Sequence, residues 1–153
     1  MILTTHALIG AAIGKNIDNP WLVMALAFST HFLLDSFRHG EYLDASKKQT
    51  MRDWMHVAMD IAFGMSIVFL SLALSEFNMK VIFNTLLGSF FGALPDLLSL
   101  LYVKFNFRIT KIFADFAMRV HPYPMGSPET LWTLRNAVND IIFSLIAIFL
   151  LFY

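Results

Sequence analysis

The stretch that most restricts this chain lies at positions 61–74, a run with no charge whose only hydroxyls are Ser66 and Ser71. With the residues around it, over about 53–75, it is long enough for a helix to cross a membrane, which takes roughly 20 residues. Apolar segments of the same kind occupy 21–37, 79–102 and 129–153, the last strongly apolar after Asp140. A shorter one at 2–14 clusters Gly10, Ala11, Ala12 and Gly14. It is short for a span, but its small residues suit close helix packing. Hydrophobic residues make up 58% of the 153 and charged residues 14%, against about 25% charged in soluble domains. The expectation is one all-α domain over 1–153: a membrane helical bundle of about five transmembrane or embedded helices, plus an amphipathic helix.

Local signals punctuate these segments. Asp18-Asn19-Pro20 combines a capping side chain with a proline suited to a first turn. Thr50 followed by Asp53 resembles a capping box. Glu76-Phe77-Asn78 makes a turn, and Gly88 with Gly92 forms a small-xxx-small face. Pro95 should kink its helix and free backbone groups near Asp96. From Lys104 to His121 basic and apolar residues alternate, which predicts an interfacial amphipathic helix over the later part. The proline-rich 121–128 stretch reads as a turn. The first residues lack a basic region, so no cleavable signal peptide is expected.

Charge placement orients the bundle. If the five apolar segments cross, Arg38, Lys47, Lys48, Arg52, Lys104, Arg108, Lys111, Arg119 and Arg135 share one side, leaving Lys15 and Lys80 on the other. The positive-inside rule makes the richer side cytoplasmic. This puts the N-terminus on the cytoplasmic side, and the expected location, with the family resemblance below, is the inner (cytoplasmic) membrane. Zero net charge gives no global basic field for nucleic acid. With no cysteine, any metal must sit on His, Asp, Glu or backbone oxygen.

The same topology gathers chemistry at one depth. His31 and Asp35, four apart, lie near the cytoplasmic end of 21–37, and His39 is the next rung if the helix continues. His56 and Asp60 repeat the spacing at the start of the third segment. His6 opens the first segment, and Asp96 lies about two turns before the end of the fourth. An aspartate inside a span costs roughly 2.5–3.5 kcal/mol on insertion scales. Three together repel unless a cation neutralises them. Imidazole and carboxylate on successive turns can grip one metal ion, or simply tie helices by a buried hydrogen bond. Asn136, Asn139 and Asp140 read as polar glue, His121 as a turn neighbour, and Arg38, Arg52 and Arg119 as topology signals able to clamp a phosphate.

Thr5-His6-Ala7-Leu8-Ile9-Gly10, His31-x-x-x-Asp35 at a helix end with His39 following, and Leu94-Pro95-Asp96 in an apolar helix together resemble the YdjM-like inner-membrane metal-dependent hydrolases. That family is distantly similar to zinc-dependent phospholipase C and the zinc single-strand nucleases. The resemblance implies an all-helical fold, a zinc cluster, and His6, His31, Asp35, His39 and Asp96 as ligands. The chain departs from the pattern where Pro95-Asp96-Leu97 replaces an aspartate pair followed by histidine, and it has no mid-chain Thr-His-Ser element.

The combined expectation is a zinc-dependent, phosphoesterase- or phospholipase-like hydrolase acting at the cytoplasmic face on a membrane lipid, with a phospholipid headgroup as substrate. His6, His31, Asp35, Asp60 and Asp96 would hold two or more ions, His39 and His56 would be outer members, and Asp60 with His56 would serve catalysis, Asp60 as general base. Two rivals stand beside it: a transporter relaying ions or protons through the carboxylates, and a non-catalytic scaffold with a structural metal.

Overall fold

A computed structural model describes residues 1–41, 50–124 and 127–153. Lys47 and Lys48 of the charge argument, and Met125 and Gly126 of the proline-rich turn, lie outside the described residues. The described residues form helices α1 (Leu3–Asn16), α2 (Pro20–Asp35), α3 (Met51–Leu74), α4 (Met79–Phe105), α5 (Lys111–Val120) and α6 (Leu134–Phe152), with a 3-10 turn at Arg108–Thr110 before α5.

Most helix starts follow from local chemistry. The Asn19 side chain accepts from the Trp21 and Leu22 amides, with Pro20 opening α2. Thr50 and Asp53 form the full reciprocal capping box of α3. Asn78 caps α4 through the Lys80 and Val81 amides, and Thr133 caps α6 through that of Asn136. α4 closes on Asn106 at φ 54°, a left-handed conformation asparagine tolerates. It runs through Pro95, which removes the amide that would bond the Phe91 carbonyl. One residue on, the Gly92 carbonyl accepts from the His31 side chain.

α1 is the hub, packed against α2, α3, α4 and α6. Its small residues permit this. A Cβ added to Gly10 would lie 2.1 Å from the Gly88 carbonyl oxygen, and one added to Gly92 would lie 2.4 Å from that of His6. The two small-residue faces read from sequence thus interlock with each other, backbone against backbone. On its other side α1 sets Leu8, Ala11 and Ala12 against Val68 of α3 and Ala147 and Leu151 of α6.

α3, α4 and α6 are long and apolar enough to cross a membrane, while α2 is a shorter apolar helix. At about 1.5 Å per residue, α3 and α4 exceed and α6 nearly matches the ~30 Å hydrocarbon core. Their outward faces carry Phe63 and Phe69, Phe83 and Phe90, and Leu145 and Phe149, all exposed. Apolar surface on that scale suits lipid rather than water.

α5 is amphipathic, with Lys111, Asp115 and Arg119 spaced along one stripe. Phe113 and Phe116 of α5 make edge-to-face contacts with Phe28 and Phe32 of α2 at centroid separations of 5.9 and 4.8 Å. α5 is therefore tied to the bundle beside the end of α2.

Candidate metal centre

One end of the bundle gathers the start of α1 with the end of α2. Asp35 stands at its middle, 1% exposed, on the last residue of α2. Its Oδ1 lies 3.1 Å from His6 Nε2, and its Oδ2 lies 3.1 Å from His31 Nε2. The His6 and His31 rings stack with centroids 3.8 Å apart. His31 Nε2 is also 3.6 Å from Asp96 Oδ1, and the Asp96 side chain is 38% exposed, so it forms the rim of the group. The buried Met1 ammonium donates to Asp35 Oδ1 at 2.7 Å. A positive charge therefore faces this carboxylate, as burial of an aspartate requires.

The expected third rung arrives by a different route. α2 stops at Asp35, and Ser36 closes it by donating its amide to the Phe32 and Leu33 carbonyls. His39 is not on the helix; the turn that follows folds it back, 3% exposed. That turn is held from α6. Arg38 Nε donates to Asn136 Oδ1 at 2.6 Å, and Asn139 Nδ2 donates to the Arg38 carbonyl at 2.7 Å. Two of the polar trio of α6, Asn136 and Asn139, act as glue for the His39 segment, while Asp140 serves the start of α1.

His121, at the end of α5 and by sequence only a turn neighbour, joins the group, and Glu41, which no motif singles out, packs against His39 and His121. Ligand atoms of Asp35, His39 and His121 all lie within 4.8 Å of one another, as do those of His6, His31 and Asp96. Four of the five histidines thus converge on Asp35.

Hydrogen bonding sets which nitrogen of each ring is available. His31 Nδ1 bonds the Gly92 carbonyl, His39 Nδ1 the Phe37 carbonyl and His121 Nδ1 the Ala117 carbonyl, each at 2.7 Å. A carbonyl only accepts, so each Nδ1 carries the proton and each Nε2 keeps a lone pair in the neutral ring. Backbone carbonyls orient metal-ligating histidines in this way. His31 Nε2, His39 Nε2 and His6 Nδ1 are buried without a hydrogen-bond partner.

The remaining expected residues fall elsewhere. Asp60 accepts from the Thr4 amide at 3.2 Å, and its carbonyl accepts from Thr4 Oγ1 at 2.6 Å. Asp140 accepts from the Ile2 amide at 3.0 Å. These two carboxylates hold the first turn of α1, whose own first-turn residues include no acid, and complement its positive end. The structure does not bring Asp60 into either group of ligand atoms, and His56 lies exposed on α3 outside both.

In the loop, the Glu41 carboxyl is disfavoured as an anion by burial, but the His121 and His39 rings outweigh this and hold it down at about 2. Burial pulls His121 down in turn, and the hydrogen bond to Glu41 overcomes it and leaves His121 raised above its ordinary value. Comparison with protein-family models, curated proteins and solved structures finds no match to this chain.

Proposed function

We propose that this chain is an inner-membrane, zinc-dependent hydrolase of the YdjM-like kind, acting on a phosphoester at the cytoplasmic face. The observation that carries the reading is the set of ring nitrogens freed by backbone pinning and aimed at Asp35 and its neighbours. Nitrogen and carboxylate donors without sulfur suit zinc. His6, His31, Asp35 and Asp96 would hold the ion. Such an ion supplies Lewis acidity and lowers the pKa of a bound water towards neutrality.

The chain's own residues do the positioning. Asp35 orients both stacked imidazoles, Gly92 fixes the tautomer of His31, and Asp96, the more exposed member, would face an approaching substrate. Charge placement supports a cytoplasmic orientation, and the outward apolar faces of α3, α4 and α6 support a lipid setting. With α1 and α2 embedded beside those three helices, the bundle has five membrane helices. The substrate class that suits this depth is a phospholipid headgroup. A relay across the bilayer gains little support from α3, where Ser66 turns onto its own Phe63 carbonyl and Ser71 onto the Leu151 carbonyl.

Metal analysis of the purified protein is the first test, with at least one zinc per chain expected. Metal-free protein whose thermal stability is indifferent to chelator would contradict the reading. Headgroup release from phospholipid vesicles then separates enzyme from scaffold: wild type should release phosphorylated headgroup and Asp35→Asn should not.

A further inference from the structure

We infer that the crevice between α1, α3 and α6 is a lipid site, filled by one acyl chain of a phospholipid whose phosphate rests at the start of α6. The inference goes beyond the metal reading and does not depend on it. α1 separates the two places: His6 turns to Asp35, whereas Thr4 and Leu8 line the crevice.

Shape selects the occupant. The crevice has a volume of about 540 Å³, within the roughly 300–1,000 Å³ of ligand sites. Its long wall is one stripe of α6, where Ala137, Ile141, Ser144 and Ile148 recur three or four residues apart, as one helix face does. Leu8 of α1 and Phe63 of α3 line it from the other sides. From Thr133, at the cap of α6, to Ile148 the wall runs about 22 Å at roughly 1.5 Å per residue. That is somewhat more than one leaflet, half of the ~30 Å hydrocarbon core. The volume spread over that length leaves a cross-section of roughly 25 Å², against about 80 Å² for a helix about 10 Å across. The helix of a second copy is too wide for such a channel; a single hydrocarbon chain is not.

Access and polarity point the same way. α3 and α6 are both long and apolar enough to cross a membrane, and Phe63, Ile141 and Leu145 of the crevice wall are exposed, continuous with the outward apolar faces of those helices. A lipid chain can therefore enter sideways. The polar lining is committed to protein: Asp140 Oδ1 accepts from the Ile2 amide at 3.0 Å, Ser144 Oγ lies 3.0 Å from Thr5 Oγ1, and Thr4 Oγ1 donates to the Asp60 carbonyl. Asp140 Oδ2 is buried. What remains for an occupant is hydrocarbon surface. At the cap of α6 the character changes. Trp132, a residue type of membrane interfaces, lines the mouth and lies against Gly40. Arg135 is exposed on the first turn of α6, which carries no acid and is the positive end of the helix. Cation and helix end complement a lipid phosphate, while the wall below complements its chain.

The test uses the full chain in detergent, stripped of lipid and given phosphatidylglycerol, with bound lipid counted by mass spectrometry of the intact chain. Wild type is expected to retain one phospholipid per chain. Ile141→Trp and Leu145→Trp fill the crevice from exposed positions and should each lose it; either serves if the other loses its helical circular dichroism. Phe69→Trp, on the outward face of α3 away from the crevice, should retain it. Arg135→Gln should weaken retention. No stoichiometric phospholipid in wild type overturns the site, as does equal retention in Ile141→Trp, Leu145→Trp and Phe69→Trp, which marks lipid held by the outer surface alone. A second copy of the chain in place of lipid, displaced by Ile141→Trp, overturns it in favour of a helix–helix interface. Unchanged retention in Arg135→Gln overturns the placement of the phosphate.

Discussion

The two ends of the bundle bury polar groups in opposite ways. At the end holding Lys15, each buried polar side chain finds a complementary partner. Lys15 Nζ donates to Ser71 Oγ and the Leu151 carbonyl, Ser71 Oγ donates to that same carbonyl, and Asn84 Nδ2 donates to the Ile17 and Asp18 carbonyls. These contacts join α1, α3, α4 and α6 and leave nothing to react. At the other end, backbone carbonyls consume the donors of His31 and His39, and their Nε2 atoms stay unpartnered beside carboxylates. Donor–acceptor pairing throughout describes a structural knot; at this end the Met1 ammonium answers Asp35, and the unpartnered imidazole nitrogens beside it mark the candidate site. The aspartates show the contrast within one end. Asp60 is engaged by Thr4 of the α1 terminus, whereas Asp35 faces two imidazoles.

The largest effect should come from the seam that joins the ends. Gly10→Val forces a side chain into the Gly88 carbonyl and should destabilise by about 3 kcal/mol or more, seen as loss of monodisperse protein. Next, Asp35→Asn should weaken zinc binding by more than about 100-fold, since outer-shell changes alone produce roughly 10–100-fold losses. Equilibrium dialysis measures this. Asp60→Asn removes a carboxylate from the α1 terminus and should lower stability by about 1 kcal/mol without changing zinc affinity. A zinc loss matching that of Asp35→Asn would erase the distinction between the two aspartates. Lys15→Met should also cost about 1 kcal/mol or less, because Ser71 still bonds the Leu151 carbonyl, and should leave zinc binding untouched.

The smallest effect is one of pH, in metal-free protein. Glu41 titrates at about 2 when folded against an ordinary 4.5, so its contribution is complete above 4.5 and fades as pH falls towards 2. His121 is raised above 6.5, so its contribution is complete below 6.5 and fades as pH rises through the raised value. Wild type should therefore exceed His121→Gln in thermal midpoint most clearly between pH 4.5 and 6.5, with the gap narrowing above that window.

Sequence made the local features legible because their causes are local. The Asn19-Pro20 start, the Thr50–Asp53 box and the interlocking Gly10 and Gly88 faces all reappear in the fold. Antiparallel connection and charge asymmetry were enough to bring His6, His31, Asp35 and Asp96 to one end. The three long apolar helices were legible as membrane-crossing candidates from length and composition. The four-residue spacing offers His39 as a rung only if the helix continues past 37, and periodicity does not show that Ser36 closes α2 first. Glu41 and His121 are hidden in the sequence since only packing of α5 on α2, and the hold of Asn136 and Asn139 on Arg38, bring His121 to Asp35 and Glu41 to His121. The contact of Asp60 with α1 was equally hidden, because it depends on where a helix remote in sequence begins.

The central claim is that imidazoles at the Asp35 end hold a metal. Zinc-edge X-ray absorption on the purified chain tests it most directly. The account predicts a nitrogen and oxygen shell at about 2.0–2.2 Å, with imidazole outer-shell scattering that weakens in His31→Ala. Stoichiometric zinc without imidazole scattering, or no zinc after loading, would contradict it.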